Sequence, residues 1–279
     1  MKFTKMHGAG NDYIYVNCFE EKVENPSEVA IKVSDRHFGI GSDGLVLIKP
    51  SDKGDFFMDM YNADGSRGKM CGNASRCVAK YVYDNGMTEK DEIALETLSG
   101  IKYIKIFTDG KKAVAAQVNM GSPELEAKKI PVIFDKENVI NEKIDVDGNS
   151  YAVTCVSMGN PHCVTFVENT DEIEIEKIGP KFENHPIFPD RVNTEFVQTV
   201  DANTIKMRVW ERGSGETLAC GTGACASVAA CIVNGYFKKD EDIKVILLGG
   251  ELNIRWDSES GCVFMTGPAQ TVCTGEIDI

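Results

Sequence analysis

Short apolar runs dominate the chain, and they carry the two-residue period of strands far more often than the 3.6-residue period of helices. Residues 12–16, 45–49, 56–61, 101–107, 152–156, 205–209, 243–248 and 251–256 read as strands. Asp109-Gly110, between 101–107 and 113–118, reads as a hairpin turn, since both residues tolerate the positive φ that such turns need. Only two stretches stand out as helices, 74–85 and 223–234. Gly86 and Gly235 follow them, and glycine ends a helix in the left-handed conformation without a Cβ clash.

These two helices lie 149 residues apart, and other features share the offset. Gly10-Asn11 falls on Gly159-Asn160, Cys71-Gly72 on Cys220-Gly221, and Asn85-Gly86 on Asn234-Gly235. Tyr61 falls on Trp210 and Asn62 on Glu211, each pair at a strand end shortly before a Cys-Gly step. Matches at one offset, all at turns or caps, point to a duplicated unit. The expected fold is mixed α/β (α+β): two similar halves related by a pseudo-twofold axis, with the active site in the cleft between them. The boundaries expected are 1–118 plus 266–279 for the N-terminal half and 119–265 for the C-terminal half, with 121–131 as the crossing stretch.

Length agrees, since 279 residues suffice for two domains each with its own core. A net charge of −13 argues against nucleic-acid and anionic-membrane partners, whose phosphates would repel the chain. No apolar run approaches the ~18 residues that span a bilayer, and the first residues lack the apolar stretch of a signal peptide. Ten cysteines without a secretory signal indicate a reducing, cytoplasmic setting.

The sharpest chemical signal is a Cys-Gly step at each helix start: Cys71-Gly72-Asn73-Ala74 and Cys220-Gly221-Thr222-Gly223. A cysteine there meets the positive end of the helix dipole and unpaired backbone N–H groups. Both favour thiolate, so a lowered thiol pKa is expected. Two equivalent thiols suit inversion of a carbon stereocentre, in which one group removes a proton from one face and the other delivers a proton to the opposite face. The remaining cysteines (18, 77, 155, 163, 225, 231, 262 and 273) read as small buried hydrophobes. The four scattered histidines and the missing C-x-x-C and H-E-x-x-H patterns give no metal site. Gly39-Ile40-Gly41-Ser42-Asp43-Gly44 matches G-x-G-x-x-G but follows a helix-like stretch and precedes a strand, the reverse of a dinucleotide fingerprint, so it reads as a tight loop flanking the site. Nothing requires a cofactor. Asn11, Asn62, Asn73, Asn160 and Asn193 fall at strand ends or in loops, where asparagine is also a common turn former. Arg212 could grip a substrate carboxylate bidentately. Glu211 and His162 could handle ammonium groups or set the protonation of the thiols.

These residues resemble the diaminopimelate epimerases, which are pyridoxal-independent amino-acid epimerases. The resemblance runs along nearly the whole chain. It includes Lys5-Met6-His7-Gly8-Ala9-Gly10-Asn11-Asp12, Tyr61-Asn62-Ala63-Asp64-Gly65-Ser66 and Ser157-Met158-Gly159-Asn160-Pro161-His162. It continues through Arg191-Val192-Asn193, the run from Arg208 to Thr217, and both Cys-Gly steps. It implies two domains, each a curled mixed sheet around a central helix, with the last strand returning to the first domain. It also implies interconversion of LL- and meso-2,6-diaminopimelate for lysine and peptidoglycan synthesis, without a cofactor. Cys71 and Cys220 would be the acid/base pair, tuned by His162 and Glu211. Asn11, Asn62, Asn160, Asn193 and Arg212 would hold the distal end of the substrate, and Gly72-Asn73 with Gly221-Thr222 would cradle the carboxylate beside the reacting carbon. Related racemases, of histidine or proline for example, share the two-cysteine site and form the alternative reading. The implied partner is a small amino-acid substrate, with a homodimer left open. One departure stands out: family members commonly carry glycine where this chain has Ala74, which would be strained if that position needed a positive φ.

Overall fold

The computed structural model describes all residues, Met1–Ile279, and divides them into two compact units. Unit 1 comprises Met1–Asn119 and Thr266–Ile279, and unit 2 comprises Met120–Met265. The chain therefore passes from the first unit to the second between Asn119 and Met120, just before the stretch expected to make that passage.

In unit 1, β1 (Lys2–Gly8) and β2 (Asn11–Asn17) form a hairpin over Ala9 and Gly10, both at positive φ. Helix α1 (Pro26–Ser34) then crosses to β3 (Gly44–Lys49), which lies parallel to β2. Its apolar face, Val29, Ala30 and Val33, packs with Ile14, Val16, Leu45 and Leu47. Next come β4 (Phe56–Asn62), the short β5 (Arg67–Gly68), helix α2 (Gly72–Asp84) and β6 (Glu92–Thr97). The crossover through α2 leaves β6 parallel to β4. The predicted hairpin is β7 (Gly100–Asp109) and β8 (Lys112–Asn119), with Gly110 at φ 64°.

Unit 2 repeats this plan. It contains β9 (Glu142–Val146), β10 (Asn149–Ser157), β11 (Pro161–Phe166), helix α3 (Ile175–Glu183), β12 (Asn193–Asp201) and β13 (Thr204–Glu211). There follow β14 (Gly215–Glu216), helix α4 (Gly221–Val233), β15 (Ile243–Leu247) and β16 (Gly250–Trp256). The chain leaves along β17 (Val263–Pro268) and ends in β18 (Gln270–Glu276), which pairs with β1 in unit 1.

The 149-residue offset holds to the level of strand register. Ile14 pairs with Leu45 in the parallel β2–β3 pair, and Cys163 pairs with Thr194 in β11–β12. Tyr61 pairs with Arg67, and Trp210 with Glu216. Even the ion pair bracing each short ribbon is kept with its charges reversed: Arg67 binds Asp59 at 2.7 Å, and Glu216 binds Arg208 at 2.7 Å. In each unit one helix is the central element. α2 packs on β1, β2, β7 and β8, while α4 packs on β10, β11, β12, β13 and β16. Both run for 13 residues and start two residues earlier than their apolar pattern suggests, because the glycines ahead of that pattern are already helical. Sheet surrounds α4 on most sides, so nine successive residues, Gly223 to Cys231, are buried and small. In α2 even Arg76 is fully buried, with its guanidinium on Asn73 Oδ1, Gly72 O and Pro268 O.

The thiols expected in the core divide. Cys77, Cys155, Cys163, Cys225 and Cys231 are buried, whereas Cys18 and Cys262 are half-buried and Cys273 is exposed. Cys273 lies on β18, where every side chain is exposed, so strand pairing there brings no burial. No helix is long and apolar enough to cross a membrane.

Candidate active site

In unit 1, Cys71 is the N-cap of α2 and takes the extended conformation (φ −138°, ψ 119°) that a cap needs. Its Sγ accepts from the Ala74 amide at 3.5 Å and donates to Asn11 Oδ1 at 3.3 Å. Asn73 Nδ2 also reaches Asn11 Oδ1, at 3.4 Å. Asn11 is held from behind, since its Nδ2 donates to Asp43 Oδ2 at 2.7 Å. Arg36 bridges Asp43 and Asp12, and Lys5 pairs with Asp12 at 3.0 Å. Thus Asp43, in the glycine-rich loop, aims the Asn11 amide at the Cys71 thiol. Tyr13 is buried beside them, and burial, then Cys71 and Asp43, keep its phenol protonated well above the usual range. Gly72 and Asn73 form the first turn of α2. Asn62 ends β4 paired with Gly44, beside the Asp43 loop, and its Nδ2 donates to Ser66 Oγ at 2.9 Å.

Ala74 is helical and fully buried, and it is not among the residues at positive φ. Its Cβ therefore introduces no backbone strain at the start of α2.

In unit 2, Cys220 is the N-cap of α4 in the same extended conformation (φ −113°, ψ 108°). Gly221 and Thr222 form the first turn, and Thr222 Oγ1 lies 3.5 Å from Sγ. The lowered thiol expected from the helix dipole is not what the structure gives here. Burial pushes the Cys220 thiol well up, Glu211 and Glu195 add to the rise, and the Thr222 hydroxyl and Gly223 amide only partly oppose it. A dipole's partial charge does not offset lost hydration together with two nearby carboxylates.

His162 is buried with Nδ1 2.7 Å from Glu195 Oε1 and Nε2 3.1 Å from Asn160 Oδ1. Glu211 accepts from Thr217 Oγ1 at 2.5 Å. Asn193, nearly fully buried, accepts the Arg212 amide on Oδ1 at 2.9 Å, and the Arg212 guanidinium is turned onto Asp190 O. The loop carrying Glu211 and Arg212 is pinned by Glu183 at the end of α3. That carboxylate takes Trp210 Nε1 at 2.7 Å, Gly213 N at 2.9 Å and Arg191 Nη1 at 3.0 Å.

Unit 1 thus brings together Cys71, Asn11, Gly72 and Asn73. Unit 2 groups Cys220, Gly221, Thr222, Glu211, His162 and Asn160, with Asn193 and Arg212 joined through one backbone bond. Sequence reasoning passed over Asp43, Tyr13 and Glu195. Glu195 did leave a signal, being the one charged residue between Val192 and Val200 and directly before the apolar pair Phe196-Val197.

The fold and the paired N-cap cysteines define a duplicated α/β protein of a known architecture. A hydroxyproline epimerase from Agrobacterium vitis matches it with a TM-score of 0.70 at 13% identity, over 99% of this chain and 90% of that one. At that identity the likeness shows the fold alone. The family model for diaminopimelate epimerase matches residues 3–126 and 154–272. A diaminopimelate epimerase from Acetivibrio thermocellus is 60% identical over 279 residues, covering 100% of this chain and 99% of the relative. One from Methanococcus maripaludis is 57% identical, covering 100% of each. The chain belongs to the diaminopimelate epimerase family.

Proposed function

We infer that this chain interconverts LL- and meso-2,6-diaminopimelate by proton transfer at one α-carbon, with Cys71 and Cys220 as the acid/base pair. The observation that carries the mechanism is the duplicated N-cap cysteine, one in each repeat. One thiolate takes the α-proton while the other thiol supplies a proton to the opposite face, and the roles exchange in the reverse direction. The first-turn amides Gly72-Asn73 and Gly221-Thr222 are suited to the substrate carboxylate, where the helix dipoles favour the negative charge that builds as the α-carbon becomes planar. Asn11, Asn62, Asn160, Asn193 and Arg212 hold the end that is not inverted, and His162 with Glu211 tune the thiols. The product serves lysine and peptidoglycan synthesis, and the enzyme acts in the cytoplasm. A racemase of proline or histidine is the weaker reading, because identity of 57–60% is to diaminopimelate epimerases, whereas the hydroxyproline epimerase shares 13%.

The direct test is deuterium wash-in followed by NMR. Reduced protein is incubated in D₂O with LL-diaminopimelate and, separately, with histidine, proline, glutamate and lysine. Exchange at one α-carbon of diaminopimelate, with meso product appearing, is expected. Exchange confined to another amino acid would keep the two-thiol chemistry and overturn the substrate.

A further inference from the structure

The internal repeat compares the surroundings of the two cysteines position by position. At the 149-residue offset Asn11 corresponds to Asn160, Tyr13 to His162, Val46 to Glu195 and Ala74 to Gly223. The strand registers agree, since Ile14–Leu45 and Cys163–Thr194 are the equivalent pairs. Around Cys71 these positions carry a phenol, an isopropyl group and a methyl group. Around Cys220 they carry an imidazole, a carboxyl and a bare glycine.

The three differences fit one another. A Cβ built on Gly223 would stand 2.6 Å from Glu195 Oε1 and 3.3 Å from Cys220 Sγ. The carboxyl therefore occupies the space that Ala74 Cβ takes up in the first repeat. It also lies no further from the thiol than those two lengths laid end to end. Glu195 and His162 are both fully buried and joined at 2.7 Å, and Glu195 Oε2 has no hydrogen-bond partner. A buried carboxyl oxygen without a partner costs ~1–3 kcal/mol. Val46 shows that the fold accepts an apolar residue at this point. Where a local rule of stability is broken without a packing reason, function is the common cause.

We propose that Glu195 is a positioning residue of the second acid/base site: it fixes the His162 ring through Nδ1 and makes the surroundings of Cys220 chemically unlike those of Cys71. With Nδ1 held by Glu195, the Nε2 edge stays against Asn160. The titratable groups facing Glu195 are His162 on β11, Glu211 on β13, Cys220 at the start of α4 and the buried Cys163. Two-base inversion needs one thiolate and one thiol at the moment substrate arrives, and identical surroundings would not assign them. Two carboxylates beside Cys220, with none aligned at Val46, make Cys220 the thiol that keeps its proton.

The proposal rests on the two-thiol reading above, and its test has an arm that needs no substrate. The rate at which methyl methanethiosulfonate converts each thiolate to its methyl disulfide, releasing methanesulfinate, is followed from pH 6 to 11 with the peptides of Cys71 and Cys220 resolved by mass. In the wild type the Cys220 midpoint should lie above that of Cys71. In Glu195→Gln, which keeps an acceptor for Nδ1 but removes the charge, the Cys220 midpoint should fall by about one pH unit while Cys71 stays put. Turnover should drop about ten-fold with KM within two-fold and the pH–rate profile displaced, at an unchanged melting temperature. The double variant Glu195→Val with Gly223→Ala grafts the first repeat's residues onto the second. It should fold, lower the Cys220 midpoint, and lose turnover even if the Gln variant misfolds. Wild-type turnover with an unmoved Cys220 midpoint, in either folded variant, overturns the proposal. So does lost turnover with an unmoved midpoint, which is a structural role only. A wild type inactive on diaminopimelate, with the labelling asymmetry intact, would instead refute the substrate reading.

Discussion

Replacing Gly223 by alanine sets two well-known effects against each other. Gly223 is the third residue of α4, and in a helix interior Gly→Ala stabilises by ~1 kcal/mol, because glycine loses the most backbone freedom on folding. On that ground alone the variant should melt higher. The new methyl group, however, would lie 2.6 Å from Glu195 Oε1, 3.2 Å from Cys220 Cβ and 3.3 Å from Cys220 Sγ. Glu195 cannot swing aside at little cost, because it is fully buried and tied to His162 at 2.7 Å. Overpacking a closed core costs ~1–3 kcal/mol, and loosening a charge-assisted hydrogen bond a further ~1.5–3 kcal/mol. After the propensity gain the net loss is about 1.5–5 kcal/mol. For a chain of this size the melting temperature should fall by roughly 3–20 °C, at about 2–4 °C per kcal/mol. Differential scanning calorimetry of wild type, Gly223→Ala, Glu195→Val and the double variant closes a mutant cycle. Valine at 195 removes the obstructing oxygen, so the double variant should recover most of the loss, with a coupling of ~1–3 kcal/mol. A single Gly223→Ala variant melting at or above wild type would refute the reasoning, since it would mean that the carboxyl does not fill the space above the helix start.

Three other expectations follow from the same geometry. Cys71→Ala or Cys220→Ala should reduce epimerisation below about 1% of wild type, and a residual rate of several per cent in either would sink the two-base assignment. Asp43→Ala releases the Asn11 amide and one partner of Arg36; KM should rise about ten-fold, as one lost hydrogen bond of ~1.4 kcal/mol implies, and an unchanged KM would mean that Asn11 needs no such support. Stability should fall at alkaline pH. Burial holds the Cys77 thiol at about 11 and pushes Cys231 up to about 12, from an ordinary value of 9.0. Below pH 9 both thiols are protonated whether the chain is folded or not. Above it only the unfolded chain releases the protons, so each thiol withdraws ~1.4 kcal/mol per pH unit until its folded value is reached. Melting temperature measured from pH 8 to 10.5 should fall steeply in wild type and less so in Cys77→Ala or Cys231→Ala; equal slopes in all three would contradict the assigned burial.

The periodic pattern already contained the eight clearest strands, both central helices, their glycine stops and the duplication. Each of these is a local property: strand alternation, helix capping and positive φ are set by residues close in the chain. The offset that relates Cys71 to Cys220 is legible for the same reason, because turns and caps need particular residues at particular spacings. Chemistry that depends on what surrounds a residue was not legible. A helix start should lower a thiol's pKa when considered by itself, yet Cys220 is driven the other way by burial and by Glu195 and Glu211, which reach it from other strands. Asp43 read as part of a tight loop until the fold laid it behind Asn11, 32 residues earlier. Glu195 drew no reading from the sequence; only the fold lays His162 of β11 beside it and Gly223 of α4 beneath it. Local spacing determined which residues repeat, whereas burial and the field of distant groups, which exist only once the sheets close around their helices, decided how the two copies differ.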